Sequence, residues 1–360
     1  MNAAAAPSTI DPDLDEHELV VDLNDPENGL RGVISIHSTV LGPAMGGCRR
    51  AIYASPDRAL ADALRLSQGM SYKNAMAGLP AGGGKAVLIE PNPDVSREAF
   101  WLAFGEAVDA LHGTYVTAED VGTTVADMEI VSRRSRFVAG LPSQVGKAGG
   151  DPSPWTALGV FVALQACLGR PLPGARIAVQ GLGAVGYKLC ERLHRAGARL
   201  IVADLDAGRT FRAMREFDAE VTSPERIHAV TADAFSPNAL GGSLNPETIA
   251  ELASPVVCGG ANNQLASRRS GIALYDRGVT YAPDYVVNAG GIINVVAEFN
   301  REPAHSVEER VLAIGPRVTE LLHRARAERR PAGEVADEIA RGLIGRRPRT
   351  NPTGVARAFA

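Results

Sequence analysis

The sequence uses lysine sparingly. Only four of its 37 basic residues are lysines, at positions 73, 85, 147 and 188, and the other 33 are arginines. Lysine differs from arginine in being a compact charge that can lose its proton when it is buried. Two of the four lysines lie twelve residues apart in one apolar, glycine-rich segment, "MSYKNAMAGLPAGGGKAVLI" (70–89). This concentration of a rare residue indicates that the segment takes part in chemistry.

Several other features are absent. The four cysteines form no CxxC pair, so neither a metal site nor a disulfide framework is expected, and this fits a reducing cytoplasm. No lysine or arginine precedes Arg31, which argues against a signal or transit peptide. No uninterrupted apolar run approaches the roughly 18 residues of a membrane span. The net charge of −4 argues against binding to nucleic acid or to a membrane surface. We therefore expect a cytoplasmic globular protein.

Strand-like and helix-like patterns alternate along the chain, which predicts an α/β fold. "GVISIHST" (32–39) and "KAVLIE" (85–90) are typical of strands, and the segment from Ser55 to Gly78 is typical of a helix. The Gly- and Pro-rich segment 140–154 is typical of an interdomain linker or a mobile loop. We expect an N-terminal domain at 1–150, a second domain at 151–345 that ends in helices, and a tail at 346–360 without regular structure.

Residues 176–206, "RIAVQGLGAVGYKLCERLHRAGARLIVADLD", have the pattern of a strand, a glycine turn, a helix and a second strand. The turn has G-x-G-x-x-G spacing, which allows a tight bend, close approach of a pyrophosphate and close helix–strand packing. The predicted cofactor contacts in this turn are Gly181, Gly183, Ala184, Val185 and Gly186. Asp204 follows the second strand, where a carboxylate binds a ribose 2′-hydroxyl and repels a 2′-phosphate. NAD is therefore favoured over NADP, although Arg209 nearby leaves NADP as an alternative.

The lysine-rich segment fails the pattern of a phosphate-binding P-loop, because Leu79 replaces the required first glycine and Ala86 the Ser or Thr. One interpretation is structural, with both lysines solvated. In a functional interpretation one ammonium group binds a substrate carboxylate, and the other, buried near a second cation, acts as acid or base. Asp120, in "TAEDVGTT", would be the partner of that base at a strand end, unless it only caps the following helix.

At this point the sequence resembles the Glu/Leu/Phe/Val dehydrogenases, which deaminate α-amino acids oxidatively with NAD(P), and within them the leucine/valine branch. The matching sequence blocks occur in the same order as in the family and cover most of residues 19–300. The matching blocks are "LGPAMGGCR" (41–49), "MSYKNAMAGLPAGGGKAV" (70–87), "YVTAEDVGTTVADM" (115–128), "GDPSPWTALGV" (150–160), "QGLGAVG" (180–186), "GGANNQL" (259–265) and "YAPDYVVNAGGIINV" (281–295).

The resemblance implies an N-terminal domain that binds substrate and forms oligomer contacts, a C-terminal Rossmann-like NAD domain, and catalysis in the cleft between them. It implies that Lys73 binds the substrate carboxylate, that Lys85 is the catalytic lysine, and that Asp120 handles protons of the substrate amino group. Further implied contacts are Gly46 and Gly47 for substrate, Asn263 for both substrate and cofactor, and Thr156 and Asn288 for the cofactor.

The positions that match the family's side-chain pocket are all apolar; they are Met45, Met70, Ala118, Ile292 and Val295. None can pair with a side-chain carboxylate, so glutamate is disfavoured and leucine, isoleucine or valine is expected. An aromatic substrate, phenylalanine or tryptophan, stays open, because a methylene changes binding by only about 1–3 kcal/mol. Two other classes of protein are alternatives: a hydroxy-acid dehydrogenase, which needs a catalytic histidine that the motifs lack, and an inactive NAD-binding scaffold, which predicts loss of a catalytic residue.

Overall fold

A computed structural model describes residues 14–142 and 146–345, together with a short strand at 357–359. The chain forms two compact units. The first unit comprises residues 1–150, 295–302 and 340–360, and the second comprises 151–294 and 303–339. Of the C-terminal helical region that the sequence places in the second domain, residues 303–339 belong to the second unit and residues from 340 onward to the first. Residues 143–145 of the expected linker, and 346–356 and 360 of the expected tail, lie outside the described residues.

The first unit contains a seven-stranded mixed sheet. Its strands are β1 (Leu19–Asp25), β2 (Leu30–Ser38), β3 (Ala44–Met45), β4 (Cys48–Ala51), β5 (Gly82–Ile89), β6 (Tyr115–Val116) and β13 (Arg357–Phe359). Their order is β13-β1-β2-β5-β3-β6, and β4 also pairs with β5. No strand is predicted after residue 346, yet β13 pairs in parallel with β1. Three residues are too few to show a periodic pattern, so the sequence carries no signal for this pairing.

Three helices of the first unit follow the strands in sequence; they are α1 (Pro56–Met76), α2 (Arg97–Asp109) and α3 (Val125–Val131). Ser55 caps α1 by accepting the Arg58 N–H. The two faces of β5 pack on different helices, because successive strand residues point to opposite sides. Val87 joins a buried cluster with Leu64 of α1, whereas Leu88 joins a cluster with Trp101 of α2.

The second unit contains a six-stranded sheet in which every pairing is parallel. Its strands are β7 (Arg176–Gln180), β8 (Arg199–Ala203), β9 (Glu220–Val221), β10 (Ala234–Pro237), β11 (Val256–Val257) and β12 (Thr280–Tyr281). The order β9-β8-β7-β10-β11-β12 reverses direction between β7 and β10, which is the doubly wound order of dinucleotide-binding sheets. The predicted α/β class with a Rossmann-like domain is therefore confirmed.

The remaining helices belong to the second unit or are shared. They are α4 (Ser153–Leu168), α5 (Ala184–Arg195), α6 (Ala207–Phe217), α7 (Pro246–Glu251), α8 (Arg268–Asp276), α9 (Asp284–Val287), α10 (Gly290–Phe299), α11 (Ala304–Leu312), α12 (Ile314–Glu328) and α13 (Ala332–Leu343), with a 3₁₀ turn at Ile227–Ala229. Of these, α10 and α13 contribute residues to both units. Within the described part of the chain, no helix is both long and apolar enough to cross a membrane.

Candidate active site

The sheet of the first unit is interrupted beside Lys85. Strand β3 pairs with β5 as far as Gly83, and β4 resumes the pairing at Ala86. Residues 46–47, between β3 and β4, therefore lie alongside residues 84–85 without a regular ladder. The Gly47 N–H donates no hydrogen bond to any described residue, so a backbone donor is left available next to Lys85.

The glycines at this interruption are required by close approach. A Cβ on Gly46 would collide with the carbonyl oxygen of Gly84, and a Cβ on Gly47 would lie 2.5 Å from the carbonyl oxygen of Glu119 and 3.0 Å from Cβ of Asp120. Neither Gly46 nor Gly47 has a positive φ. Their role is to bring two segments of backbone against β5 and against Asp120.

Lys85 and Asp120 form a close ion pair. Lys85 Nζ lies 2.7 Å from Asp120 Oδ2, and Lys85 is only 5% exposed. Burial alone would raise the pKa of Asp120, but the charges of Lys85 and Arg49, together with hydrogen bonds, outweigh it and hold that pKa below its ordinary value. Asp120 is therefore an anion in the free protein. Its carboxylate is still 26% exposed, and it is accessible to a positively charged group of a substrate.

A short turn holds Asp120 after β6. Its N–H donates to Thr123 Oγ1 at 2.8 Å, and that hydroxyl donates to the Cys48 carbonyl oxygen at 3.2 Å. Gly122 in the same turn has φ +78°, which glycine adopts without strain. Asp120 is thus anchored to β4. It is not the N-cap of α3, because Thr124 caps that helix.

Arg49 and Tyr115 also contact this site, and sequence reasoning did not identify either as functional. Arg49 Nε lies 3.2 Å from Asp120 Oδ2. The Tyr115 hydroxyl donates to the Gly46 carbonyl oxygen at 2.7 Å and accepts the Ala86 N–H at 3.1 Å. The only available sequence signal was their position, since each lies in one of the motifs that carry the resemblance to the dehydrogenases.

The predicted substrate contacts are divided between the two units. Lys73 is half-buried near the end of α1, and Met70, three residues earlier, has Cγ 3.1 Å from the position of a Cβ on Gly46. Met45 and Ala118 are buried in the first unit. Val295 belongs to the part of α10 in the first unit and Ile292 to the part in the second.

Cys48 lies next to the site but is an inert thiol. It is fully buried, and burial raises its pKa to about 12. Because the thiolate is the reactive form, this cysteine is not a nucleophile at working pH.

The glycine turn of the second unit has the geometry that its spacing predicts. Gly181 has φ +88°, and a Cβ there would lie 2.8 Å from Ala239 N. Gly186 lies so close to Gly181 that a Cβ would collide with the Gly181 carbonyl oxygen. A Cβ on Gly183 would meet no atom within 4 Å. Because α5 begins directly after Gly183 and no side chain caps it, its first N–H groups can receive a phosphate.

Asp204 lies directly after β8 and is held by backbone. Its Oδ2 accepts the Leu182 N–H from the glycine turn at 2.6 Å, and Oδ1 accepts the Asp206 N–H at 2.9 Å. Arg209 lies 3.7 Å from Asp204 Oδ2 and 3.4 Å from Asp206 Oδ2. The acidic group and the arginine that decide between a ribose hydroxyl and a ribose phosphate are therefore neighbours.

The other predicted cofactor contacts also lie in the second unit. Asn288 is buried, and its amide nitrogen donates to Asn262 Oδ1 at 2.8 Å and to the Gly260 carbonyl oxygen at 3.2 Å. Its Oδ1 is buried and accepts no hydrogen bond from the described residues, which fits a donor such as a carboxamide N–H of a bound ligand. Asn263 is exposed with φ +53°, and Thr156 is half-buried on α4.

A dinucleotide turn on a doubly wound sheet, combined with a second α/β unit that carries a buried lysine–carboxylate pair, is typical of a nicotinamide-dependent dehydrogenase. Comparison with known families agrees. Residues 17–136 match the Glu/Leu/Phe/Val dehydrogenase dimerisation domain, and residues 203–313 match the Glutamate/Leucine/Phenylalanine/Valine dehydrogenase domain. The chain therefore belongs to the Glu/Leu/Phe/Val dehydrogenases, as its motifs predict.

Individual relatives agree with this membership. The chain is 44% identical to the leucine dehydrogenase of Thermoactinomyces intermedius, over 94% of this chain and 93% of that one. It is 43% identical to the valine dehydrogenase of Streptomyces virginiae, over 90% of this chain and 92% of that one. The crystal structure of L-tryptophan dehydrogenase from Nostoc punctiforme superposes with a TM-score of 0.82 at 36% identity, over 91% of this chain and 96% of that one.

Proposed function

We propose that this protein catalyses the reversible, NAD-dependent oxidative deamination of a branched-chain aliphatic L-amino acid, namely leucine, isoleucine or valine, to its 2-oxo acid and ammonium. The observation that carries the proposal is the Lys85–Asp120 pair at 2.7 Å, next to the free N–H of Gly47. Together they offer a cation, an anion and a neutral donor within one small region. An amino acid presents the complementary groups, which are a carboxylate and an amino group on one carbon.

Each residue has a distinct role in this proposal. Lys73 and the backbone of residues 46–47 bind the substrate carboxylate, which fixes the direction of the Cα–H bond. Asp120 binds the amino group and accepts a proton from it, so that the nitrogen lone pair can form the C=N bond as hydride leaves. When bound, the nicotinamide ring supplies the hydride acceptor. Lys85 then assists the attack of water on the imino acid and the collapse to 2-oxo acid and ammonium.

The choice of substrate rests on the pocket residues and the relatives. The five positions that match the family's pocket are all apolar, so a charged side chain would be buried without a partner. The leucine and valine dehydrogenases that the chain resembles act, by name, on aliphatic amino acids. The tryptophan dehydrogenase is the reason to keep an aromatic L-amino acid as a second candidate.

NAD is proposed over NADP because of Asp204. Its carboxylate is held towards the glycine turn by the Leu182 N–H and is 9% exposed. A 2′-phosphate at this position would face that anion, whereas a 2′-hydroxyl can donate to it.

We further propose that the enzyme is a cytoplasmic homo-oligomer. The match to a dimerisation domain at residues 17–136 supports self-association, which light scattering of the purified protein can test.

The test is NAD⁺ reduction at 340 nm and alkaline pH with a panel of L-amino acids. Wild-type protein should turn over leucine, isoleucine or valine, and Lys85→Ala should reduce kcat by about 10³-fold, within the range for loss of acid–base catalysis. The matched control is Lys147→Ala, which removes an exposed lysine to which the proposal gives no role and should leave the rate unchanged. Turnover of phenylalanine or tryptophan alone would establish the aromatic alternative. No turnover of any amino acid, with NAD⁺ still bound, would refute the proposal.

A further inference from the structure

Arg49 is fixed at both ends by carboxylates. Its Nε lies 3.2 Å from Asp120 Oδ2, the same oxygen that Lys85 contacts at 2.7 Å. Its Nη1 lies 3.1 Å from Asp62 Oδ2. The Arg49 side chain is only 21% exposed, so both contacts are partly shielded from water. The guanidinium therefore connects Asp120, which follows β6, to Asp62 on α1.

The anchor on α1 is itself held. Asp62 Oδ2 accepts the Tyr53 hydroxyl at 2.8 Å, and Asp62 Oδ1 accepts Arg65 Nη2 at 2.8 Å. Asp62 thus makes contacts that fix it independently of Arg49. The guanidinium group is planar and its N–H donors point in fixed directions. An arginine that contacts a carboxylate on each side therefore holds the two carboxylates in a fixed position relative to each other.

The register of the sheet places Arg49 on the lysine's side. Arg49 of β4 pairs with Val87 of β5, and Lys85 is two residues before Val87. Residues two apart on a strand project from the same face, so Arg49 and Lys85 both project towards the face that α1 covers. The next residue, Arg50, projects from the opposite face, where it pairs with Glu90 and lies over the Trp101 ring.

We infer that Arg49 is a positioning residue that orients the Asp120 carboxylate for the substrate's amino group, without binding the substrate itself. The inference rests on the proposed function and adds a residue to its machinery. An alternative role is direct binding of the substrate carboxylate, for which arginine is chemically suited. The geometry argues against that role, because Nε and Nη1 already contact the carboxylates of Asp120 and Asp62.

The two roles predict different responses to the substrate's amino group. 4-Methylpentanoate is leucine without that group, so it retains the carboxylate and the side chain but has nothing for Asp120 to bind. If Arg49 acts through Asp120, Arg49→Met should lower kcat/KM for leucine about 10- to 100-fold and leave the inhibition constant of 4-methylpentanoate within twofold of wild type. If Arg49 binds carboxylate directly, both constants should weaken together.

Three further variants keep the result interpretable. Arg50→Met is the matched control, since it removes the same charge from the same strand on the other face, and it should retain wild-type kcat/KM. Arg49→Lys keeps the charge but cannot hydrogen-bond to both carboxylates at once, so it should recover only part of the kcat/KM that Arg49→Met loses. Asp62→Asn loosens the distant anchor without touching Asp120 and should give a smaller loss in the same direction, which decides the question if Arg49→Met does not fold.

The experiment is steady-state kinetics of wild type and these variants with leucine and NAD⁺, with 4-methylpentanoate as competitive inhibitor. Circular dichroism and the NAD⁺ dissociation constant show that each variant is folded. An unchanged kcat/KM in Arg49→Met and Asp62→Asn, or equal weakening of leucine and 4-methylpentanoate, would overturn the inference. Failure of wild type to turn over any L-amino acid would instead refute the proposed function, so the two failures are distinguishable.

Discussion

Glycines lie at the candidate sites of both units, but they are required there for different structural reasons. In the second unit, Gly181, Gly183 and Gly186 lie within six residues and form one turn. Gly181 has a positive φ, Gly183 borders open space, and Gly186 packs tightly against Gly181. In the first unit, Gly46 and Gly84 are far apart in sequence and have ordinary φ values, and each is required only because another strand lies against it. One site is local and the other is made by tertiary contacts.

This difference extends to charge. In the described part of the chain, the first unit's site holds the buried ion pair of Lys85 and Asp120, with Arg49 as a second cation. The second unit offers uncapped backbone N–H groups at the start of α5 and the carboxylate of Asp204. A dinucleotide can be held largely by backbone and a helix terminus, whereas moving protons requires titratable side chains in fixed positions.

The largest effect is expected from adding one methyl group at matched positions in the two sites. Gly46→Ala forces a Cβ into the Gly84 carbonyl oxygen, which is backbone and cannot rotate away. We expect kcat/KM for the amino acid to fall at least 100-fold, with a lower melting temperature. Gly183→Ala meets no protein atom within 4 Å, so the fold should be retained and the loss should appear as a higher KM for NAD⁺.

Both variants are assayed by thermal unfolding and by steady-state kinetics in which each substrate is varied separately. The comparison would fail if Gly183→Ala destabilised the protein as much as Gly46→Ala. It would also fail if Gly46→Ala changed only the KM for NAD⁺.

The same difference explains which parts could be predicted from sequence. The dinucleotide turn, its helix and Asp204 lie within one contiguous segment, so spacing alone predicts their arrangement. Lys85 and Asp120 were identified from their motifs and from the scarcity of lysine, but their 2.7 Å contact needs the strand register. Arg49 and Tyr115 were missed because arginine is abundant here and a tyrosine in a strand is ordinary. The pairing of β13 with β1 was missed because a three-residue strand has no detectable periodicity.

A smaller effect is expected from Tyr115→Phe. The ring would still fill the space under Gly84, but the Gly46 carbonyl and the Ala86 N–H would lose their shared partner. A buried polar group left without a partner costs about 1–3 kcal/mol, and here the cost falls on the strands that flank Lys85. We expect lower stability to urea and a several-fold higher KM for the amino acid, with an unchanged KM for NAD⁺.

The matched control is Tyr281→Phe, which removes the hydroxyl of a buried tyrosine on β12 of the second unit. It should leave the KM for the amino acid at its wild-type value. If both variants raised that KM equally, the Tyr115 hydroxyl would have no particular role in holding Gly46.

The smallest effect is expected on acidification, which should weaken the first unit more than the second. Asp15 is fully buried; burial raises its pKa, but hydrogen bonds from His37 and Tyr72 and the charge of Arg341 outweigh this and lower it. A carboxyl with a lowered folded pKa contributes stability that is present above its unfolded value, near 3.9, and lost as pH falls through the folded value. In the second unit, Asp151 is a carboxyl group whose pKa is also lowered, but its side chain is much more exposed than that of Asp15.

The two tryptophans report on the two units separately, because Trp101 lies in the first and Trp155 in the second. Urea midpoints are measured by fluorescence at pH 7, 4 and 3 in Trp155→Phe, which keeps Trp101, and in Trp101→Phe, which keeps Trp155. Each variant's own midpoint at pH 7 is its reference. The Trp101 midpoint should fall further below pH 4, by an amount equivalent to about 1 kcal/mol. Equal shifts at both tryptophans would show that acid sensitivity does not follow the buried charges of the first unit.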